Sequence, residues 1–173
     1  MIYVLAYPEF SADTARRIAH FRALHEPARA RLVAAHITLV FGLSKSSSQD
    51  VLARCEKTAP RFSPIPVEFT ETRLGHDPFE DTYKLFLMCE TGRESLTALH
   101  DLLYDGPQRA ELSPDIPYEP HMTVATHEDR RAIAKLDTSA LGAFPICATI
   151  RELTVVRRDA GMLQRVGVCT LGR

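Results

Sequence analysis

Two apolar stretches carry the same four-residue pattern, AAHITLVF at residues 34–41 and YEPHMTVA at residues 118–125. Each pattern contains a histidine, an apolar residue, a threonine and a second apolar residue. Successive side chains of a β-strand point to opposite faces of its sheet. A strand over the first stretch therefore has two distinct faces, with His36, Thr38 and Val40 on one and Ile37, Leu39 and Phe41 on the other.

The second stretch has the same alternation, with His121 and Thr123 on one face and Met122 and Val124 on the other. In each stretch the histidine and the threonine stand side by side, roughly 6–7 Å apart along the strand. The two histidines lie about half a chain length apart in a chain of 173 residues. This spacing suggests a duplicated architecture that contains one histidine–threonine pair in each half.

The elements predicted around the two stretches come in the same order, which is strand, helix, motif strand, helix and strand. In the first half they are a strand over 2–7, a helix from its Ser11 cap to 24, the motif strand closed by Gly42, a helix over 49–58 and a strand over 67–74. After a turn at 75–78, the second half has a strand over 83–89, a helix to 104 that begins at a capping box over 91–94, the motif strand, a helix to 136, and strands over 144–156 and 163–170 that are joined by a turn at 159–161. We therefore predict an α+β fold with two similar lobes, 1–75 and 83–173, in a single domain over 1–173.

Composition places the chain among ordinary soluble globular proteins, since 45% of its residues are hydrophobic and 25% are charged. A net charge of −1 argues against a protein that binds duplex nucleic acid through bulk electrostatics. The N-terminal stretch lacks the basic region of a signal peptide, and no apolar run is long enough to span a membrane. The widely separated cysteines have no metal-ligand spacing, so we expect a reduced, cytoplasmic protein that binds no metal. We also expect that it needs no cofactor and acts as a monomer. These cysteines are Cys55, Cys89, Cys147 and Cys169.

Two histidines can perform acid–base chemistry on a phosphodiester, because the unperturbed pKa of histidine is about 6.5. One ring takes a proton from the attacking water or hydroxyl while the other gives a proton to the leaving oxygen. The hydroxyls of Thr38 and Thr123 can donate hydrogen bonds to the non-bridging phosphate oxygens. A cyclic phosphodiester requires no metal, because ring strain assists cleavage. We therefore predict that His36, Thr38, His121 and Thr123 are the catalytic residues, with the acid and base roles of the two histidines interchangeable.

The paired motifs resemble those of the 2H phosphoesterases, a superfamily that includes bacterial RNA 2′,5′-ligase-like proteins and 2′,3′-cyclic phosphodiesterases. The aromatic-x-Pro-His-x-Thr form at 118–123 is the more specific of the two motifs. The resemblance implies a bilobal fold of two mainly antiparallel sheets, flanked by helices, with the motifs facing each other across a central cleft. It also implies metal-independent hydrolysis of cyclic phosphodiesters at RNA or nucleotide ends, or the reverse ligation.

The chain departs from the family pattern after the second motif. Many members continue with an arginine there, whereas this chain has Ala125 and Thr126. If that arginine holds phosphate or base, then Arg73, Arg130 or Arg131 must replace it. The candidates for substrate binding are therefore Arg73 and Arg130, together with the aromatic residues Tyr7 and Tyr118 near the motif strands. Phe41 is assigned to the core, because strand alternation places it on the face opposite His36.

Several features have a plainer structural interpretation. His36 and His121 could be satisfied, partly buried histidines, with Thr38 and Thr123 favoured only by β-propensity. The predicted helices carry surface histidines at His20, His25 and His100, while His76 and His127 lie at a loop and a helix start. Five arginines between 16 and 31 could follow an RNA backbone, but a solvated helix face explains them better.

Two alternative functions remain open at this stage. The first is a binding module that holds an RNA end or a nucleotide phosphate in the same cleft without turning it over. The second is a metal-dependent hydrolase that uses His36, His121 and a carboxylate such as Glu119. Hydrolysis measured with a strong chelator present separates the second alternative from the two-histidine mechanism.

Overall fold

A computed structural model describes residues 1–114 and 117–173 of the chain. The eight strands are β1 (Ile2–Ala6), β2 (Ile37–Leu43), β3 (Ile65–Asp77), β4 (Thr82–Thr91), β5 (His121–His127), β6 (Ile146–Ile150), β7 (Glu152–Asp159) and β8 (Met162–Thr170). The five α-helices are α1 (Ala12–His25), α2 (Pro27–Leu32), α3 (Ser48–Thr58), α4 (Arg93–Leu103) and α5 (Arg130–Ala134). Short 3₁₀ turns lie at Ala59–Arg61, Pro107–Glu111 and Thr138–Leu141.

All eight strands belong to one antiparallel sheet in the order β6-β3-β4-β5-β2-β1-β7-β8. The α+β class is as predicted, but the hydrogen-bonded sheet is single, whereas two sheets were expected. The two sheets merge because β2 and β5 pair at Ile37 and Met122 and so join two four-stranded halves. In the rest of the sheet, neighbouring strands pair over several consecutive residues.

The two halves of the sheet do not follow the division of the sequence at 1–75 and 83–173. β3 pairs with β4 and β6, so it lies in the same half as the second motif strand. In return, β7 and β8 extend the half that contains β1 and β2. Each half therefore contains a strand–helix–motif strand unit from one part of the chain. The half with the first motif gains β7 and β8 from the predicted second lobe, and the half with the second motif gains β3 from the predicted first lobe.

The ends of several elements explain where the sequence predictions succeed and fail. The side chain of Ser11 accepts a hydrogen bond from the backbone of Thr14, as an N-cap should. At α4 the predicted capping box is wrong, because Gly92 is the N-cap with φ +86° and Thr91 donates to Glu68 instead. A Cβ at Gly92 would approach the carbonyl oxygen of Pro66 to 2.6 Å, so this close approach requires glycine.

The bounds of other elements also differ from those predicted. The predicted turn at 75–78 begins too early, because β3 continues to Asp77 and pairs with β4 up to Thr82. The single strand predicted over 144–156 is two strands, β6 and β7, separated at Arg151. The six-residue helix α2 was not predicted at all.

The core lies between the sheet and its helices, and the apolar partners of the two motifs are completely inside it. Ile37, Leu39, Met122 and Val124 are all fully buried. The helices cross over between the halves, since α1 packs against β5 and α4 packs against β2. None of the described helices is both long and apolar enough to cross a membrane.

Candidate active site

The single pairing between β2 and β5 brings the two motifs together. Because Ile37 lies opposite Met122 in an antiparallel register, His36 comes opposite Thr123 and Thr38 comes opposite His121. All four side chains stand on the face away from the core, and each remains partly accessible. Each histidine therefore has the threonine of the other motif as its neighbour across the strands.

Both histidine rings are held in the same way. The Nδ1 atom of His36 lies 2.7 Å from the carbonyl oxygen of Ala34, and the Nδ1 atom of His121 lies 2.7 Å from that of Glu119. A carbonyl oxygen only accepts hydrogen bonds, so each Nδ1 carries the proton. The Nε2 atom of each neutral ring is then left with a lone pair, which is the state that a general base requires.

The surroundings of the two rings differ in charge. Burial is the main cause that lowers the pKa of His36 to about 4, and the positive charges of Arg22 and Arg29 lower this pKa further. Burial also lowers the pKa of His121, but there the carboxylate of Glu119 opposes the shift while Lys84 and Arg73 add to it. The two rings are thus alike in geometry and unlike in the charges around them.

A β-bulge in each motif strand changes which residues reach the site. Leu39 is an extra residue opposite β1, since Thr38 pairs with Leu5 and Val40 pairs with Val4. Val124 is likewise extra opposite β4, since Thr123 pairs with Phe86 and Ala125 with Leu85. An extra residue shifts the alternation by one position. The fifth residue after each histidine therefore returns to the site face.

Phe41 and Thr126 occupy these two positions. The prediction that Phe41 belongs to the core is wrong, because the bulge at Leu39 turns its side chain outward and leaves it 47% exposed. Val40 takes the core position instead and is buried. Thr126 lies where the family resemblance would place an arginine, and its hydroxyl donates to the carboxylate of Glu26 at 3.1 Å.

Aromatic rings lie beside both histidines. Tyr7, which follows β1, meets the ring of His36 edge-on with 6.0 Å between the ring centroids. Phe86 of β4 lies closer to His121, at 4.4 Å between centroids. Sequence reasoning named Tyr7 but missed Phe86. The alternation within residues 83–89 could have found Phe86, provided that the pairing of β4 with β5 had been recognised.

Tyr118 packs against two rings, those of His100 and Phe41. Its ring stacks on His100 with 3.9 Å between centroids and 6° between planes, and its buried hydroxyl has no hydrogen-bond partner among the described residues. The prediction that His100 is a surface residue is wrong, since it is only 3% exposed. Both side chains are drawn inward because β2 and the residues before β5 diverge there and leave space to fill.

The two strands diverge on both sides of the Ile37–Met122 pair, and each opening is filled from a helix. The α4 gap lies between residues 39–41 and 118–120. Here His100 Nδ1 donates to the carbonyl oxygen of Leu39 at 2.7 Å, and the Tyr104 hydroxyl accepts from the backbone N–H of Phe41 at 3.0 Å. These side chains bind backbone groups of β2 that a continuous strand ladder would otherwise have paired.

The α1 gap lies between residues 33–36 and 123–126, and ionic side chains fill it. Arg22 and Glu26 of α1 form a buried ion pair there, with Arg22 Nε 2.5 Å from Glu26 Oε1. Arg29 of α2 lies next to this pair and also binds Glu80 of the β3–β4 hairpin. Glu80 in turn pairs with Lys84, which lies opposite Thr126 in the sheet.

The predicted arginine candidates are divided between two places. Arg73 lies beside Phe86 in the sheet and is bound by the carboxylates of Glu119 and Glu71 at 2.9 and 3.2 Å. Arg130 and Arg131 are exposed on α5. Of the remaining arginines in the 16–31 cluster, Arg16 and Arg17 pair with Asp13 on the surface of α1. His76 binds Asp81 in the hairpin, and His127 accepts the backbone N–H of Asp129.

The residues of a metal site do not converge at the motifs. Within residues 1–114 and 117–173, no three histidine, cysteine, aspartate or glutamate side chains are grouped so as to hold a metal ion. The carboxylate of Glu119, which would have to complete a site with the two histidines, pairs with Arg73 and lies 3.9 Å from Arg93. The four cysteines are free thiols, three of them buried.

Comparison with known proteins agrees with this architecture. The family model described as the 2′-5′ RNA ligase superfamily matches residues 10–162. A crystal structure of a phosphoesterase superimposes with a TM-score of 0.59 at 20% identity, covering 99% of this chain and 98% of that one. Escherichia coli LigT complexed with 3′-AMP gives 0.58 at 21% identity, with 99% and 98% covered. Kluyveromyces marxianus Usb1 with uridine monophosphate gives 0.57 at 11% identity, also with 99% and 98% covered. No curated protein matches the chain in sequence.

Proposed function

The chain belongs to the 2′-5′ RNA ligase superfamily of 2H phosphoesterases, and from this premise we propose that it hydrolyses 2′,3′-cyclic phosphates, or related cyclic phosphodiesters, at RNA or nucleotide ends. The observation that carries the proposal is the register at Ile37 and Met122, which sets each histidine opposite the threonine of the other motif. The four catalytic residues are His36, Thr38, His121 and Thr123. The chemistry needs no metal ion.

In the proposed reaction, Nε2 of one histidine takes a proton from water as the water oxygen bonds to phosphorus. The other ring enters this step as an imidazolium, with both nitrogens protonated, and its Nε2 gives a proton to the ribose oxygen as the P–O bond of the cyclic phosphate breaks. The threonine hydroxyls donate to the non-bridging oxygens, where negative charge accumulates. Arg22 and Arg29 add to the lowering of the His36 pKa by burial, whereas Glu119 partly offsets the lowering of the His121 pKa by burial, Lys84 and Arg73. We therefore assign the base to His36 and the acid to His121. If the 5′-hydroxyl of a second RNA end replaces water as the nucleophile and the 3′-oxygen leaves, the same step forms a 2′-5′ phosphodiester bond, which is the ligation.

The proposed substrate carries a nucleobase. Phe41 presents an exposed ring on the site face, and an aromatic ring can stack on any base. The related structures include LigT complexed with 3′-AMP, with ATP and with NADP⁺, and Usb1 with uridine monophosphate. These ligands support a nucleotide as the substrate here. Of the predicted arginines, Arg73 lies near the site, because it is paired in the sheet with Phe86, whose ring is beside His121. Arg130 is exposed on α5.

The proposed arrangement is a single domain over 1–173 in which the two four-stranded halves form the walls of the central cleft. The single strand pair at its floor supports this two-walled form. We expect a monomeric, cytoplasmic protein. Size-exclusion chromatography with light scattering tests the oligomeric state.

The experiment that tests the function is a hydrolysis screen with EDTA present throughout. The substrates are the four 2′,3′-cyclic nucleotides and an oligoribonucleotide that ends in a 2′,3′-cyclic phosphate. We expect the appearance of a phosphomonoester, and its 2′ or 3′ position identifies the oxygen that leaves. Absence of product from every substrate, with or without added divalent ions, overturns the proposal.

A second candidate function, a non-catalytic module that binds nucleotide phosphates, is favoured by one observation. Thr126 replaces the family arginine, and Glu26 engages its hydroxyl, so this position offers no cation to a substrate. Calorimetric titration of a cyclic nucleotide on the sample used for hydrolysis separates the two functions. Saturable binding without product favours the module. Activity that appears only after the chelator is removed points to the metal-dependent alternative.

A further inference from the structure

The ion pair in the α1 gap is unusual because both of its charges are removed from water. Arg22 and Glu26 are 3% and 4% exposed, although arginine and glutamate are rarely fully buried. Burial of two charges carries a desolvation cost that their attraction offsets only when the geometry is good and further hydrogen bonds are made. The further bonds of this pair show what it holds in place.

Arg22 binds the segment that delivers the first histidine. Its Nη1 atom donates to the carbonyl oxygen of Val33 at 3.0 Å, directly after α2. The next residue, Ala34, supplies the carbonyl that accepts from Nδ1 of His36. The guanidinium therefore fixes the backbone on which the orientation of the His36 ring depends.

Glu26 binds the strand of the second motif. Its Oε1 atom accepts from Arg22, and its Oε2 atom accepts from the hydroxyl of Thr126, three residues beyond Thr123. A chain of hydrogen bonds therefore runs from β5 through Glu26 and Arg22 to the residues before His36. It spans the gap in which β2 and β5 no longer pair.

We propose that Arg22 and Glu26 are positioning residues that hold His36 at its working distance from the second motif. The inference rests on the proposed function, because it assumes that the two histidines act on one substrate. Neither residue needs to touch that substrate. The ion pair takes the place of the backbone ladder that a continuous sheet would have supplied between β2 and β5.

The same pair shapes the charge around His36. The ionisable groups that face this ring are Arg22 from α1, Arg29 from α2, His121 from β5 and Tyr7 after β1. Burial is the main cause of the lowered pKa of this ring, and the two arginines, which are the cationic groups among its neighbours, lower that pKa further. Loss of Arg22 therefore has two separable consequences, a displaced ring and a ring that binds protons more readily.

The test uses two variants of the full chain. Arg22→Met/Glu26→Leu removes both charges together and leaves no unpaired ion in the core. Arg22→Lys retains the charge, but an ammonium group lacks the planar fork that reaches Glu26 and Val33 together. The control is Asp13→Leu/Arg17→Met, which removes an ion pair of the same four-residue spacing from the exposed surface of α1.

Two measurements are made on each folded variant, hydrolysis of a 2′,3′-cyclic nucleotide and NMR titration of the His36 ring. We expect kcat to fall about tenfold or more in both variants with KM little changed, because misplacement of a catalytic group by about 1 Å is costly. The pKa of His36 should rise in the double variant and stay low in Arg22→Lys. The control should match the wild type in both measurements.

An unchanged kcat and an unchanged His36 resonance in a folded Arg22→Met/Glu26→Leu protein overturn the proposal. If this double variant does not fold, an unchanged kcat in a folded Arg22→Lys protein overturns the proposal, because the pKa of His36 is expected to stay low in that variant. The NMR measurement needs no substrate, so it tests the positioning role of Arg22 and Glu26 independently of the proposed hydrolysis. A wild type without activity, in which the His36 resonance still responds to Arg22, overturns the proposed function and retains the link between Arg22 and His36.

Discussion

The two gaps between β2 and β5 perform one structural task with opposite kinds of side chain. In the α4 gap, the neutral groups of His100 and Tyr104 bind the backbone of β2, and Tyr118 fills the remaining space. In the α1 gap, a buried arginine and a buried glutamate connect the residues before His36 to β5. Two helices in equivalent places, α1 and α4, therefore fill equivalent gaps with different side chains, ionic from α1 and neutral from α4.

The difference shows that the two halves of a fold can share their geometry and still give two proposed catalytic groups unequal surroundings. The hydrogen bond that orients the ring is the same in length and kind at His36 and His121. The charges around the rings are not the same, since arginines face His36, whereas His121 has the carboxylate of Glu119 as well as the cations Lys84 and Arg73. A reaction that needs one base and one acid at the same pH benefits from such inequality.

The largest expected effect comes from removing either ring. His36→Ala and His121→Ala should each lower kcat/KM by about 10²–10⁴-fold, because each ring carries one proton transfer. Steady-state hydrolysis of a cyclic nucleotide measures the effect. His20→Ala, an exposed histidine on α1, is the control. Near wild-type turnover in either motif variant would show that the two rings do not act as a pair.

A smaller effect, on KM, should follow from removal of the ring of Phe41, the fifth residue after His36. Phe41→Ala should raise KM for a cyclic nucleotide by about tenfold, since stacking on an aromatic ring is worth about 1–3 kcal/mol per base. KM for ribose 2′,3′-cyclic phosphate, which has no base, should not change. Met162→Ala removes another exposed apolar side chain far along the chain and serves as the control. An equal rise of KM with both substrates would contradict stacking of a base on Phe41.

The unequal charges should also appear in the dependence of stability on pH. A histidine whose pKa is lower in the folded state binds more protons when unfolded, so acid favours unfolding. For His36 the free energy of unfolding should fall as the pH drops from 6.5 to about 4. Urea unfolding at a series of pH values should show a weaker pH dependence in His36→Ala than in His20→Ala. If the free energy of unfolding depends on pH equally in the two variants, His36 does not contribute to the loss of stability in acid.

The smallest expected effect lies in the α4 gap. Tyr104→Phe removes the hydroxyl that accepts from Phe41, and the free energy of unfolding should fall by about 1–3 kcal/mol because a backbone N–H loses its partner. The kcat of the variant should stay close to that of the wild type, in contrast to the Arg22 variants. Denaturant unfolding and hydrolysis on one sample test both statements. A large loss of kcat with unchanged stability would show that the α4 gap also positions the catalytic rings.

Local pattern predicted much of the fold. The strand at 2–7, the helix capped by Ser11 and the two motif strands depend on alternation and capping, which act between near neighbours. The place of β3 beside β4, and of β7 beside β1, could not be predicted in this way. Strand pairing over long separations depends on the fit of whole faces, which the order of elements does not contain.

The errors at the site have two physical origins, a bulge in β2 opposite β1 and the divergence of β2 from β5. Phe41 was assigned to the core because alternation was counted without the bulge at Leu39. His100 was assigned to the surface because a helical histidine is usually solvated, whereas here an unpaired strand carbonyl draws it inward. The buried state of Arg22 has the same cause, since Val33 and Glu26 both need a donor.

The sequence by itself determined the chemistry that is available, because two His-x-Thr patterns in apolar strands put a histidine and a threonine on one face of each strand whatever the fold. The tertiary structure alone decided that these faces meet, through one pair at Ile37 and Met122. It also decided that His36 is surrounded by arginines and that Phe41 faces the site. The physical reason is range: alternation acts over a few residues, whereas burial, charge and register depend on segments that lie far apart in the chain.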